Sequence, residues 1–541
     1  MATFGIDLGT TYSCIAYIDD SGRAVVAKNA IGEDTTPSVV FFETADNVVV
    51  GRDAKSSAKI SPELVVSLIK RQMGERITLP FHGAEHTPET ISALILREVV
   101  RAAAETTGEQ IRDVVITVPA YFGVSQRQAT RNAGEIAGLN VLDVVPEPVA
   151  AALHYEAVGA GKDSTILVYD LGGGTFDTTV IRLTGNDVSV VCTDGDHHLG
   201  GADWDDKISA FLLEQFQSEH PESGAAESED FLQELAIAAE DLKKALSNVV
   251  TRRQNMRFAG KVTRAELDRE LFEQLTADLL DRTFQITART IETARKKGIE
   301  RFDDVLLVGG ATRMPAVAAG LRARFGFEPR LHDPDLAVAK GAALFGLIQS
   351  VKVALPDADG HGPDRDGKIA EDTVAEVADR LGMSVDHVRK LAEKKVVIVS
   401  PRAFGVKVFD TRQGTEEFFV EHLIHANDPL PAAPPTQQYG TLYPNQTAIQ
   451  IEVWEQAGAR ASKSLDDNNA IGEGHISGLP PLPQGSPIDV TFRMDPSGIL
   501  QVHAVELSTG KDLDIKLTIE GLTDDEVEQA RGSIARYTVA G

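Results

Sequence analysis

Asp7 and Asp170 each end a short apolar run and open a turn of glycines and hydroxyls, a pairing suited to phosphate chemistry. In the first copy, Phe4-Gly5-Ile6-Asp7 leads through Leu8, Gly9, Thr10, Thr11 and Tyr12 to the apolar run 14–18. In the second, 166–169 leads through Asp170 to Gly172, Gly173, Gly174, Thr175 and Asp177, and the chain returns along 178–183. Glycines at such a turn leave bare backbone N–H groups, an anion nest that suits phosphate. A carboxylate at the strand mouth can hold Mg2+ directly or through water. Either copy alone also reads as a glycine-rich hairpin without a ligand. Two copies facing each other would clamp a polyphosphate from both sides, with Asp7 and Asp170 sharing one metal.

Such a clamp also needs a cation and a group that places water. Lys70 falls in 63–73, where the apolar spacing predicts a helix; it reads as a surface lysine or as that cation. Glu147 lies between Pro146 and Pro148, which fix the backbone around it. It could orient water or cap a helix over 149–155. A helix over 231–247 places Glu240, Lys243, Lys244 and Ser247 on one polar face, either solvated or the edge of a purine and ribose site. Gly200 and Gly201 form a further glycine turn before a helix over 204–216. An apolar strand over 305–308 ends in a third, Gly309-Gly310, positioned for a base with Arg313 beside it. Strands at 39–42, 48–50, 113–119 and 141–145 alternate with helices at 90–105, 125–137 and 335–347, so the first 350 or so residues read as two α/β halves.

At 541 residues the chain exceeds one core, and the size suggests about three or four compact units. A formal net charge of -28 argues against nucleic acid or an anionic membrane as main partner. Two cysteines, Cys14 and Cys192, support neither a disulfide framework nor a zinc site. A first strand starting near residue 3 leaves no room for a signal peptide, and no apolar run approaches membrane-spanning length. A cytoplasmic protein is expected.

Asp-Leu-Gly-Thr-Thr at 7–11, Val-Ile-Thr-Val-Pro-Ala-Tyr-Phe at 115–122, Glu-Pro-Val-Ala-Ala-Ala-Leu at 147–153 and Asp-Leu-Gly-Gly-Gly-Thr-Phe-Asp at 170–177 resemble the nucleotide-binding domain of the DnaK-type heat shock protein 70 chaperones. His-Leu-Gly-Gly at 198–201 and Gly-Gly-Ala-Thr-Arg-Met-Pro at 309–315 continue the match. The resemblance implies an α/β, two-lobed actin-like ATPase domain over 1–352, with ATP or ADP and Mg2+ in its cleft and K+ as a further cation. Position by position, it assigns Asp7 and Asp170 to the metal shell. Thr10, Thr11, Gly172, Gly173, Gly174, Gly200 and Gly201 would hold phosphates, with Gly9 and Tyr12 in the same nucleotide-binding turns. Lys70 would neutralise the terminal phosphate, Glu147 and Thr175 would position the attacking water or phosphate, and Asp177 would support them. Glu240, Lys243, Lys244, Ser247, Gly309, Gly310 and Arg313 would surround adenosine. Pro119 and Arg127 resemble the family's relay from site to lobe surface. Pro146 and Ala202 replace the family's usual Asn and Glu, and 74–90 and 248–261 are shorter than its counterparts, which bears on dependence on an exchange factor.

Residues 353–395 have no counterpart in the family. An Asp/Gly/Pro-rich loop over 355–367 precedes helices at 369–381 and 385–394. The pair resembles a helix-turn-helix, but an acidic first helix favours a spacer or docking insert over DNA reading. Residues 396–401 resemble the family's apolar interdomain linker, without the acid expected near Ile398, which bears on coupling to a J-domain partner. From 402 to 519 short alternating strands (404–409, 417–422, 447–454, 488–494, 500–506, 511–516) predict a β-sandwich resembling the family's peptide-binding domain. By position Phe409 would arch over a bound peptide, Tyr439 would form a wall and Ile449 the central pocket; all three also read as ordinary core. A helix over 521–539, in the segment 520–541, reads as a lid stub. The expected function is ATP-driven binding of unfolded polypeptide clients. The alternatives are a nucleotide-switched protein docking one partner and, disfavoured by the β-domain, a small-molecule kinase of the same fold.

Overall fold

Two central sheets repeat one plan. The structure, a computed structural model, describes residues 3–159, 163–355, 371–410, 417–458, 460–496, 498–515 and 522–540. In the first lobe Phe4–Asp7 and Tyr12–Ile18 form an antiparallel hairpin, and Phe4–Asp7 also pairs in parallel with Asp113–Val118. In the second, Ser164–Leu171 and Phe176–Thr184 form the hairpin, and Ser164–Leu171 pairs in parallel with Asp304–Val308. The two acid-glycine turns are therefore hairpin turns at equivalent places in two sheets. Both sheets are covered by helices, which is why their strands are apolar on both faces. The two mixed α/β lobes have the two-lobed form that the resemblance implies.

Helix Ala337–Ala354 packs against strands of the first lobe and against helix Glu147–Val158. It is long and apolar enough to cross a membrane, contrary to the sequence expectation that no such run exists, but most of it is buried inside the protein. Its hydropathy is that of a core helix. Residues 63–73 also differ from expectation. They form a 3-10 turn Pro62–Leu64, a strand Val65–Val66 paired with Val40–Phe42, and a second 3-10 turn Ile69–Gln72. The β-branched pair is taken up by a sheet edge and Leu68 adopts φ 58°, which ends any helical path. Lys70 therefore sits on a short buried turn.

The linker is structured. Val396–Val397 pairs in parallel with Asp187–Asp196 at the edge of the second lobe's sheet. Ile398 and Val399 are buried in an apolar cluster that continues from Val149 and Val168 into the β-domain at Phe404 and Ile451. That domain is a sandwich of two four-stranded sheets. One orders Glu417–Ile424, Phe404–Asp410, Ile449–Gln456 and Asn468–Ile476; the other orders Gln437–Gly440, Pro487–Met494, Leu500–Glu506 and Lys511–Ile515. Gln437–Gly440 and Asn468–Ile476 were not anticipated, and Lys516 of the expected last strand lies outside the described residues.

Before the linker, helices Glu371–Leu381 and Val385–Glu393 pack Val374, Val377 and Val388 onto Leu347 and Val351 of the core helix. Lys394 is buried in an ion pair with Glu156 at 2.6 Å, so that basic residue faces protein. The expected loop at 355–367 lies outside the described residues apart from Leu355. After the sandwich, helix Asp524–Ile534 is capped by Thr523. It stops short of the expected 539, and Thr538–Ala540 becomes a strand paired with Asn47–Val50 of the first lobe.

Candidate functional site

The two acid-glycine hairpins meet. A Cβ added to Gly173 would lie 2.0 Å from Thr11 Oγ1, and one on Gly174 2.3 Å from Thr10 Cγ2, so only glycine allows the turns to close on each other. Between them lies a cavity of about 790 Å³ lined by Asp7, Gly9, Thr10, Thr11, Tyr12, Lys70, Glu147, Asp170, Gly172, Gly173, Thr175 and Gly201. Its far wall carries Glu240, Lys243, Lys244, Gly309, Gly310 and Arg313. Gly309 takes φ +83°, and a side chain there would strike the Leu171 carbonyl and the Asp170 carboxylate.

Lys70 Nζ donates to Glu147 Oε1 at 2.6 Å, and Lys70 is only 4% exposed. Buried ammonium and carboxylate groups are costly unless paired, so each holds the other in the cleft. Burial first, then the Glu147 carboxylate, push the Asp7 carboxyl up to about 7 and the Asp177 carboxyl up to about 8. The same two causes hold Asp170 well above the usual range, while the Lys70 charge pulls all three down. Asp177 does not line the cavity. It accepts from the Ala120 and Tyr121 N–H groups at 3.2 and 3.1 Å, fixing the turn that follows Pro119. Gly174 and Gly200 lie back to back behind the wall rather than on it. Ser247 also falls outside the lining: its hydroxyl donates to the Lys243 carbonyl at 3.3 Å one turn earlier.

Several cleft residues had no obvious signal in the sequence. Lys55 reaches from the first lobe to Glu240 of the second, which also receives Lys244 at 2.6 Å and the Tyr12 hydroxyl at 2.9 Å. Burial opposes its ionisation, yet Lys55 and Lys244 hold the Glu240 carboxyl down at about 2. Arg71, next to Lys70, crosses the cleft to the Gly174 carbonyl at 3.0 Å and to Asp203 at 2.6 Å. Asp205 pairs with Lys243 at 2.7 Å, and Arg313 with Asp335. Charge complementarity across the cleft is the only trace these leave in the sequence, and it is visible only after folding.

A family model for Hsp70 proteins matches residues 3–84, 75–358 and 398–538. The chain is 37% identical over 539 residues to the chaperone protein DnaK from each of two strains of Halobacterium salinarum, covering 97% of this chain and 76% of that protein. The chain belongs to the Hsp70 family. It is thus a chaperone-family ATPase, and its interval 359–397, between the matched segments, holds the helical pair.

In this Hsp70 protein the expected peptide-site residues come together in a second cavity of about 400 Å³ within the sandwich. Phe409, Tyr439 and Ile449 line it with Val406, Phe418, Leu442, Ile451 and Ile488. The Tyr439 hydroxyl donates to Glu421 at 2.9 Å, and Phe409 packs on Phe418 with ring centroids 4.8 Å apart. Residues 522–540 line no part of it. Arg127 lies between this domain and the nucleotide cleft: its Nε donates to the Phe122 carbonyl at 3.2 Å and its side chain abuts Gly498.

The raised carboxyls set an expected pH dependence. Their folded-state values lie above the unfolded 3.8, so the protonated acids favour the ligand-free fold, and that contribution is lost as pH rises through about 7 to 8. A divalent cation held directly by Asp7 and Asp170 would have to displace their protons. The affinity for Mg2+ with ADP, measured by calorimetry, is expected to rise by roughly three- to tenfold between about pH 6 and pH 8. Affinity that is flat with pH would mean that Asp7 and Asp170 do not face the metal.

Proposed function

We propose that this protein is an ATP-dependent chaperone that hydrolyses ATP to ADP and phosphate and binds exposed apolar segments of unfolded polypeptides. The observation that carries this reading is the pairing, in one chain, of the acid-and-lysine cleft with an apolar groove in a sandwich joined to it by a buried linker.

The residues present fit a magnesium nucleotide. Asp170, buried, and Asp7, partly buried, face the cavity, and no cluster of three or more ligating side chains exists among the described residues. That suits Mg2+, which keeps several waters and takes few protein ligands. When bound, the ion would neutralise phosphate charge between Asp7 and Asp170. Thr10, Thr11, Gly172 and Gly173 would present hydroxyls and backbone N–H groups to phosphates, and Glu147 and Thr175 would hold the attacking water. Lys70 would stabilise charge developing on the transferred group, since phosphoryl transfer depends on placement and positive charge. Glu240, Lys243, Lys244 and Arg313 would flank adenosine.

An extended client would seat one apolar side chain over Ile449 beneath Phe409 and Tyr439, with strand edges pairing to its backbone. Residues 522–540 pack on the first lobe and do not cover this groove. In stopped-flow measurements ATP should accelerate release of a labelled peptide by less than about threefold, because affinity differences reside mostly in off-rates. A slow ADP-bound phase abolished by ATP would contradict this. Family membership also suggests a J-domain co-chaperone and an exchange factor as partners.

The helical pair, lying outside the segments matched by the family model, favours one competing reading, a nucleotide-switched protein that docks a single partner. ATPase assays with a panel of unrelated apolar peptides separate the two. General stimulation supports the chaperone, and none across the panel overturns it.

A further inference from the structure

The segment after the sandwich is fastened to the first lobe. Thr538–Ala540 adds a parallel strand to the first lobe's outer sheet, with Thr538 opposite Asn47, Val539 opposite Val48 and Ala540 opposite Val49. The Thr538 N–H donates to the Asp46 carbonyl at 3.0 Å. Just before the strand, Tyr537 is buried with its ring against Phe42 and its hydroxyl 3.1 Å from His86 Nε2. Arg97, on helix Pro88–Thr107, donates to the Ile534 carbonyl at 2.7 Å and to the Tyr537 carbonyl at 3.5 Å. Val527 and Ile534 are buried in the first lobe's own core cluster, and Asn132 donates to the Leu522 carbonyl at 3.3 Å. Main-chain pairing, a seated aromatic side chain and an arginine reading two carbonyls together form a sequence-specific socket.

We propose that residues 522–540 are an intramolecular clasp that keeps the sandwich beside the first lobe in every nucleotide state. Six residues separate Ile515, the last described residue of the sandwich, from Leu522. At about 3.5 Å per residue that tether reaches roughly 25 Å when fully extended, so a closed clasp prevents wide separation of the domains. The tether also keeps the clasp at a high effective concentration near its socket. The linker strand fastens the sandwich to the second lobe and the clasp fastens it to the first. The clasped strand Asn47–Val50 runs through Gly51 into helix Arg52–Ser57, whose Lys55 bridges the cleft to Glu240. Clasp closure thereby steadies an element that holds the cleft shut.

The test uses the full chain. Thr538→Pro removes the donor to Asp46, Tyr537→Ala empties the aromatic seat, and Thr538→Ala keeps the backbone donor as a control. Hydrogen exchange of the Val48 and Val50 amides, which face the clasp strand, is expected to be at least about tenfold faster in Thr538→Pro and Tyr537→Ala, and unchanged in Thr538→Ala. Energy transfer between dyes on Glu63→Cys and Ser508→Cys should be the same with ADP and with ATP in the otherwise unaltered protein, and change on adding ADP when the clasp is broken. ADP release should then quicken severalfold. Equal exchange in all variants, or a change in transfer on adding ADP to the clasped protein, overturns the proposal. The exchange measurement needs no nucleotide, so its outcome is independent of whether the chain is an ATP-driven chaperone.

Discussion

Replacing Lys70 by alanine is expected to slow single-turnover ATP hydrolysis by about two to three orders of magnitude while changing the affinity for ADP by less than about threefold. The ammonium is buried, 2.6 Å from Glu147, and its charge acts on Asp7, Asp170 and Asp177 together. A preorganised charge in a dry site needs no reorganisation as the reaction proceeds, which is why losing one such donor typically costs about that factor. The groups assigned to adenosine come from other elements: Glu240 and Lys243 from helix Glu229–Leu246, and Gly310 and Arg313 from the turn Gly310–Arg313. Binding of the diphosphate should therefore survive. The orphaned acids can take up protons, since burial already favours their neutral forms. Hydrolysis in Lys70→Ala within about tenfold of the unaltered protein would remove this lysine from the mechanism.

The two acid-glycine hairpins were legible in the sequence because their chemistry is local. Asp7 and Asp170, the glycines and the hydroxyls are neighbours along the chain, and the close approach of Gly173 and Gly174 to Thr11 and Thr10 follows from residue type. Elements whose form is set by distant partners were not. Val65 and Val66 leave the expected helix to complete a sheet begun at Val40, which moves Lys70 onto a buried turn. Strand Asn468–Ile476 carries two glycines that blur its alternation, and Gln437–Gly440 is a polar edge strand. The strand Thr538–Ala540 exists only because Asn47–Val50, near the other end of the chain, offers it an edge. Ser247 fits the polar face of its helix but spends its hydroxyl on the preceding turn. Lys55 and Arg71 enter the site through partners across the cleft, which sequence spacing does not encode.

Glu455→Ala is expected to abolish any response of ATP turnover to peptide while leaving basal turnover within about fivefold. Glu455 belongs to the sandwich, yet its carboxylate faces the first turn of helix Val124–Ile136 in the first lobe, beside Gly123. Burial raises its carboxyl above the ordinary range, against the pull of Arg402 and the Val124 N–H. Arg402 Nη1 donates to it at 3.3 Å, and the guanidinium stacks 5.1 Å from the centre of the Tyr121 ring. The Tyr121 hydroxyl donates to the Gly458 carbonyl of the sandwich at 3.4 Å, while its backbone N–H binds Asp177 behind the nucleotide cleft. These contacts form one packed path from cleft to groove. Alanine at 455 leaves Arg402 buried without a partner, a change that typically costs about 3–5 kcal/mol. A cost of that size shifts a docked population by a factor of roughly 100 or more. The clasp would still keep the sandwich nearby, so coupling rather than compactness is the quantity to measure. Because a buried ion pair can be replaced by apolar groups at little cost, the double variant Arg402→Met with Glu455→Met should regain much of the peptide response. Full coupling in Glu455→Ala, or a double variant no better than the single, would place the path elsewhere.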